Sequence, residues 1–207
     1  MKGLYNALTF DSGIIKCAGS KNCARINYVG TEKIDGTEAF VPIEHYTGKG
    51  NIYIASLYDD ALVDKAIEYA SSGARVMLAC CKTLDEVGTC DKKYGATPIG
   101  LAHKLGLLDG ALLSGAVHLD KDDIDLIIQS GAEVVLTPST SMGSGHGIPP
   151  LRMLLSLGAT VRLGTGEARY NKEADLEFEA KLIALAVSGA LCTKDAVAES
   201  EIKKILV

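Results

Sequence analysis

The sequence predicts an α/β fold in which parallel strands are covered by helices, and three observations carry that prediction. From about residue 51 short apolar strands alternate with helical stretches. The strands are rich in β-branched residues and continuously apolar, so both of their faces are buried. The 207 residues are 47% apolar and 23% charged, which suits one large domain, or a domain with a small appendage, built on a substantial core. A doubly wound sheet and a β/α barrel both satisfy this pattern. A full eight-unit barrel takes ~250 residues. About five units are visible here, so a barrel must be partial, or be completed by the first 50 residues or by a partner chain.

Residues 1–50 carry Gly13, Gly19, Gly30, Gly36, Gly48 and Gly50 around the short segments GIIKCAG, ARINYVG and EAFVPIEH. That spacing predicts a small β-rich segment of antiparallel strands without a long helix. Residues 51–207 form the β/α portion. NIYIASL (51–57) reads as its first strand, followed by a helix over DDALVDKAIEYASSG with a glycine stop. ARVMLACC (74–81) is the next strand, and a helix ends near Gly106. GALLSGAVHL (110–119) follows, with Asp120 as the N-cap of the helix KDDIDLIIQSG. AEVVLTPS (132–139) leads into a Gly/Ser loop and a helix opening at Pro149-Pro150, where proline suits a first turn. ATVRLG (159–164) precedes the long amphipathic helix ADLEFEAKLIALAVSGA (174–190), and AVAESEIKKIL is a last short helix.

The formal charge of −5 argues against a nucleic-acid partner, since no basic excess exists to neutralise phosphates. No apolar run approaches the ~18 residues a membrane span needs, and MKGLYNALTFDSG lacks a signal-peptide core, so a cytoplasmic protein without a membrane partner is expected. Cys17, Cys23, Cys80, Cys81, Cys90 and Cys192 show no C-x-x-C spacing, which points to free thiols rather than to a zinc ribbon or a redox pair.

In parallel α/β folds ligands sit at the C-terminal ends of the strands. The residues there are Tyr58-Asp59-Asp60, Cys80-Cys81-Lys82, His118-Leu119-Asp120, Ser139-Thr140-Ser141 and Thr165-Gly166-Glu167. They gather a histidine, two thiols, several hydroxyls and a carboxylate around one mouth, which suits a small-molecule pocket.

The order of the segments carries a resemblance. The stretch HLDKDDIDLIIQSGAEVVLTPSTSMGSGHGIPPLRMLLSLGATVRLGTGE, with VMLACCKTLDEV and YGATPIGLAHKLGLL upstream, resembles the second half of the amidohydrolase superfamily, in the branch of cytosine deaminase, S-adenosylhomocysteine deaminase and the chlorohydrolases. The resemblance covers about residues 51–191. It implies a β/α barrel of the metal-dependent hydrolase type, in which a zinc or iron ion activates water and histidines with an aspartate hold the metal. Carried over position by position, the implied histidine of one strand falls on Met77 and its following glutamate on Cys80. A second histidine falls on Gly115, and the aspartate of "L-G-T-D" on Gly166, one residue before Glu167. The implied "H-x-H" has no counterpart, FVPIEHYTG offering only His45. Methionine and glycine do not replace imidazole or carboxylate as metal ligands.

The expectation is therefore a partial or modified β/α barrel with a degenerate metal site, no resident cofactor, and a role as a small-molecule-binding or accessory protein. The alternative is an active hydrolase or deaminase on non-peptide C–N bonds with a rebuilt site, with or without zinc. His118, Cys80 and Glu167 are the catalytic candidates, and Cys81, Ser139, Thr140, His146 and Thr165 the pocket candidates. A barrel short of strands exposes sheet edges, which predicts either that the N-terminal strands fill the gap or that two copies pair along it.

Overall fold

The computed structural model describes residues 24–26, 38–45, 50–57, 60–167 and 169–206. Tyr58 and Asp59 of the first strand end lie outside the described residues, as do Cys17, Cys23 and the side chain of His45. Among the described residues seven strands form one sheet: β1 Ala24–Ile26, β2 Glu38–Pro42, β3 Asn51–Ile54, β4 Val76–Cys80, β5 Leu112–Gly115, β6 Glu133–Leu136 and β7 Thr160–Leu163. They lie side by side in chain order and every pair is parallel. The expected antiparallel N-terminal segment is corrected here, because β1 and β2 add to the main sheet in the same sense as the rest.

Sequential order decides between the two architectures left open by the sequence. A doubly wound sheet reverses its strand order at a switch point, whereas a barrel never does. Right-handed crossovers between successive neighbours then put all the helices on one face. The connecting helices are α1 Asp60–Ser71, α2 Leu84–Tyr94, α3 Pro98–Lys104, α4 Lys121–Gln129, α5 Pro138–Gly143, α6 Leu151–Leu157, α7 Leu176–Ala190 and α8 Glu199–Ile205. Their apolar residues, such as Ala66, Ile99, Ile124, Leu154 and Ile183, share one large core with the outward-facing residues of the strands. The inward residues Phe40, Tyr53, Met77, Ala79, Leu112 and Val135 form a separate small cluster. Strand β4 shows the division: Val76, Leu78 and Cys80 join the helix-side core, Met77 and Ala79 the inner one, and all five are buried. The protein thus has a partial β/α barrel, with helices outside and an inward face packed with side chains.

Several elements depart from the sequence reading for local reasons. The segment between β4 and β5 holds two helices, because Gly95 takes a left-handed conformation (φ 62°) and Thr97-Pro98 starts a new helix, Thr97 Oγ1 accepting the Gly100 N–H at 3.0 Å. The Gly/Ser loop after β6 is instead the short helix α5. At Asp120 the expected cap is present and reciprocal: its carboxylate accepts the Asp123 N–H at 2.8 Å, and the Asp123 carboxylate accepts the Asp120 N–H at 3.3 Å. At the opposite end of the barrel from the strand C-termini, Glu133 lies between Arg162, to which it is paired, and Arg75 at 3.8 Å. No helix among the described residues is long and apolar enough to cross a membrane.

Candidate functional site

The C-terminal ends of β3 to β7 surround a cavity of about 640 Å³. Its floor is Tyr53 and Ala79, the upper inward residues of β3 and β4. Hydroxyl groups dominate its wall. Ser114 comes from β5, and Thr137, Thr140 and Ser141 come from the turn and helix after β6. Charge enters from the start of α2, with Lys82 and Glu86, and from the turn after β7, with Glu167; His146 closes the side.

The two termini of α2 and β4 fix Lys82 and Glu86. Thr83 caps α2 by accepting the Glu86 N–H at 3.0 Å, and Glu86 reaches back to accept the Lys82 N–H at 2.6 Å. Lys82 in turn extends across the mouth, where its ammonium donates to Ala55 O at 3.1 Å. The lysine stem lies over Gly115: a Cβ at that glycine would stand 2.6 Å from Lys82 Cγ and 2.8 Å from Cys80 O. On the other side the Glu167 N–H donates to Thr140 Oγ1 at 2.7 Å, and Thr140 Oγ1 occupies the space a Cβ at Gly166 would need. The carboxylate of Glu167 pairs with Arg169 Nε at 2.6 Å.

Of the residues singled out from sequence, Thr140, His146 and Glu167 line this cavity. His118 does not. Its Nε2 sits 2.8 Å from His146 O, so it holds the backbone that carries His146. Cys80 and Cys81 are corrected as site candidates. Strand alternation turns Cys80 to the helix side while Ala79 faces the cavity, and Cys81 is fully buried in the same outer core. A hydrogen bond with Cys80, helped by burial, pushes the Cys81 thiol well above its ordinary range, the reverse of what a nucleophile needs. Thr165 is wholly buried beneath the turn and forms no part of the cavity wall. Ser139 is committed elsewhere, donating through its N–H (2.8 Å) and hydroxyl (2.5 Å) to the buried carboxylate of Glu179.

The sequence names Lys82 only among the strand-end residues, and does not single out Glu86, Ser114, Thr137 or Glu179. A signal existed for Glu86, since T-L-D-E has the spacing of a capping box. None existed for Glu179, whose partner Ser139 is 40 residues away.

A divalent metal would need a converging set of hard or imidazole ligands at this mouth. Met77 and Gly115 stand where the resemblance implies histidines, and Gly166 where it implies an aspartate. Met77 is packed in the inner cluster, and the space beside both glycines is filled by Lys82 and Thr140. Among the described residues no three His, Cys, Asp or Glu side chains converge as a ligand set. The described donors do not fit such an ion.

No protein-family model matches the chain. It is similar to the 5-methylthioadenosine/S-adenosylhomocysteine deaminase of Desulforamulus reducens, 36% identical over 118 residues that are 55% of this chain and 27% of that protein. With the enzyme of the same name from Caldicellulosiruptor saccharolyticus it is 26% identical over 165 residues, 79% of this chain and 38% of that one. The chain therefore spans about a third of the length of these relatives. Among solved structures it resembles an adenosine deaminase from Xanthomonas campestris with bound zinc, with a TM-score of 0.71 at 18% identity over 85% of this chain and 38% of the other. A guanine deaminase from C. acetobutylicum with bound guanine aligns with a TM-score of 0.67 at 18% identity, over 84% of this chain and 42% of the other. These likenesses give the fold, and the named relatives support the resemblance to the amidohydrolase superfamily.

Proposed function

We propose that the cavity at the strand C-termini binds a small nitrogen-containing molecule of the purine-nucleoside kind, and that the reaction it serves is hydrolysis of a C–N bond. The observation that carries the reading is the convergence of Glu167, His146 and Thr140 on one cavity at the catalytic end of the barrel. Relatives named as deaminases, similar over more than half of this chain, supply the reaction class. Deamination adds water to the carbon bearing the amino group, breaks the C–N bond and releases ammonia. The proton leaving the water passes to a carboxylate, for which Glu167 is placed, and a proton must reach the departing nitrogen, for which His146 is placed. His118 acts as a positioning residue by fixing the His146 backbone.

A second reading, binding without turnover, is favoured by Met77, Gly115 and Gly166, which supply none of the ligands that the resemblance implies at those positions. One experiment separates the two. The protein is incubated with 5-methylthioadenosine, adenosine and guanine, with and without added zinc, while ammonia release and calorimetric binding are followed. Ammonia release that is lost in Glu167→Gln supports the hydrolytic reading. Saturable binding without ammonia supports the second, and absence of both overturns the cavity as a purine site.

A further inference from the structure

We infer that Ser114, Thr137 and Ser141 grip the ligand directly, and that the end of the ligand they hold is an uncharged planar group with hydrogen-bond donors and acceptors along one edge. The inference rests on the small-molecule reading of the cavity above and assigns it three binding groups.

Buried polar side chains are hydrogen-bonded as a rule, and a buried hydroxyl without a partner is costly. This molecule obeys the rule elsewhere. Asp123 accepts from Thr97 Oγ1 at 2.5 Å, Glu179 accepts from Ser139 and Asn171, and Glu86 accepts the Lys82 N–H. Ser114, Thr137 and Ser141 break it. They are 6%, 3% and 3% exposed, and among the described residues their hydroxyls have no hydrogen-bond partner. All three line the same cavity.

Thr137 shows that this is not a failure of local geometry in general. Thr83, Thr97, Asp120 and Asp175 stand at the N-caps of their helices, and each uses its side chain to accept a helix N–H. Thr137 stands at the N-cap of α5, and its hydroxyl accepts none. It is left available to the cavity. The Ser141 N–H donates to Thr137 O at 2.9 Å, so the two side chains stand one helical turn apart on one face. Ser114 pairs in register with Val135, two residues before Thr137, on the neighbouring strand. Three hydroxyls thus meet from two adjacent strand ends.

Their chemistry defines the ligand edge. A hydroxyl donates and accepts with equal ease, so three together match an edge that mixes N–H, ring nitrogen and carbonyl groups. The floor beneath, Tyr53 and Ala79, offers an apolar surface to a flat ring. An anionic head is disfavoured, because Asp85, Glu86 and Glu167 outnumber Lys82 in the wall.

The test uses the full chain with Ser114→Ala, Thr137→Val and Ser141→Ala. Thermal unfolding without ligand is measured beside calorimetric titration with 5-methylthioadenosine and with adenosine monophosphate as an anionic counterpart. The expected results are an unchanged or raised Tm for each variant and roughly ten-fold weaker binding of the neutral nucleoside per lost hydroxyl, a typical worth for a buried hydrogen bond. The monophosphate is expected to bind wild type at least about ten-fold more weakly than the neutral nucleoside. Variants that bind as tightly as wild type overturn the assignment while leaving the cavity reading intact. A lowered Tm also overturns it, because the hydroxyls would then be structural. Preference for the monophosphate overturns the ligand class, and a wild type that binds neither probe ends both this inference and the reading beneath it.

Discussion

Glu179 anchors the start of α5, the helix that carries Thr140 and Ser141 into the cavity wall. Its carboxylate is fully buried, and it ties the start of α5 to α7 by accepting from Ser139 and from Asn171 Nδ2 at 2.8 Å. Asn171 Nδ2 also donates to Asp175 O at 2.9 Å, so the loop after β7 is held in the same knot. Both carboxylate oxygens act as acceptors. A glutamine can present only one oxygen, and its NH₂ would meet a donor. Glu179→Gln is therefore expected to lower the unfolding free energy by about 1–3 kcal/mol, read by urea denaturation. Burial holds the Glu179 carboxyl above its ordinary range despite these bonds. Between its unfolded and folded pKa values the folded state binds more protons, so unfolding free energy falls as pH rises through that window. The contribution is fully present below the ordinary carboxylate range. Subtracting the Glu179→Gln pH profile from wild type should isolate this slope, and parallel profiles would contradict it. None of this was legible in LEFEAKL, where Glu179 reads as one more charge on an amphipathic helix. Charge identity is local, but burial is set by what the chain brings back 40 residues later.

At the scale of elements, legibility followed how local the cause was. The Asp120 cap, the stop of α1 and the extent of α7 from Asp175 onward depend on neighbours within one turn, and the sequence shows them. The sequence predicts a strand over 110–119, but β5 ends at Gly115, because Gly115 and Ala116 both turn left-handed, with φ of 83° and 47°. The apolar run AVHL continues past the turn and hides it. The same turn shapes the site, since it lets the Lys82 stem cross above Gly115. Gly115→Ala should therefore cost about 1–3 kcal/mol, from the positive φ and the clash with Lys82 Cγ and Cys80 O. Lys82→Ala in the same chain relieves the first contact and not the backbone one, so a double-mutant cycle by denaturation should recover part of the loss and not all. Full recovery would show that the lysine alone required glycine there.

For the whole molecule the question is how the sheet ends. A β/α barrel closes when its last strand pairs with its first. Here β7 pairs with β6 and β1 with β2, and among the described residues neither has a second neighbour. The parallel strands β1 and β2 extend the sheet at the β3 side. Among the described residues the outer edge of β7, with Thr160 exposed at its start, has no strand partner. Such edges pair with another chain unless something covers or charges them. Two copies joined through this edge are therefore expected, and light scattering should give twice the 21.8 kDa chain mass. Thr160→Lys places a charge at the edge and should shift the population toward single chains with the cavity intact, as read by binding of 5-methylthioadenosine. A wild-type mass of one chain at every concentration would rule the pairing out. A dimer insensitive to Thr160→Lys would move the contact away from β7, to the exposed Phe178 and Leu185 of α7, where a charge at Leu185 becomes the next substitution to measure.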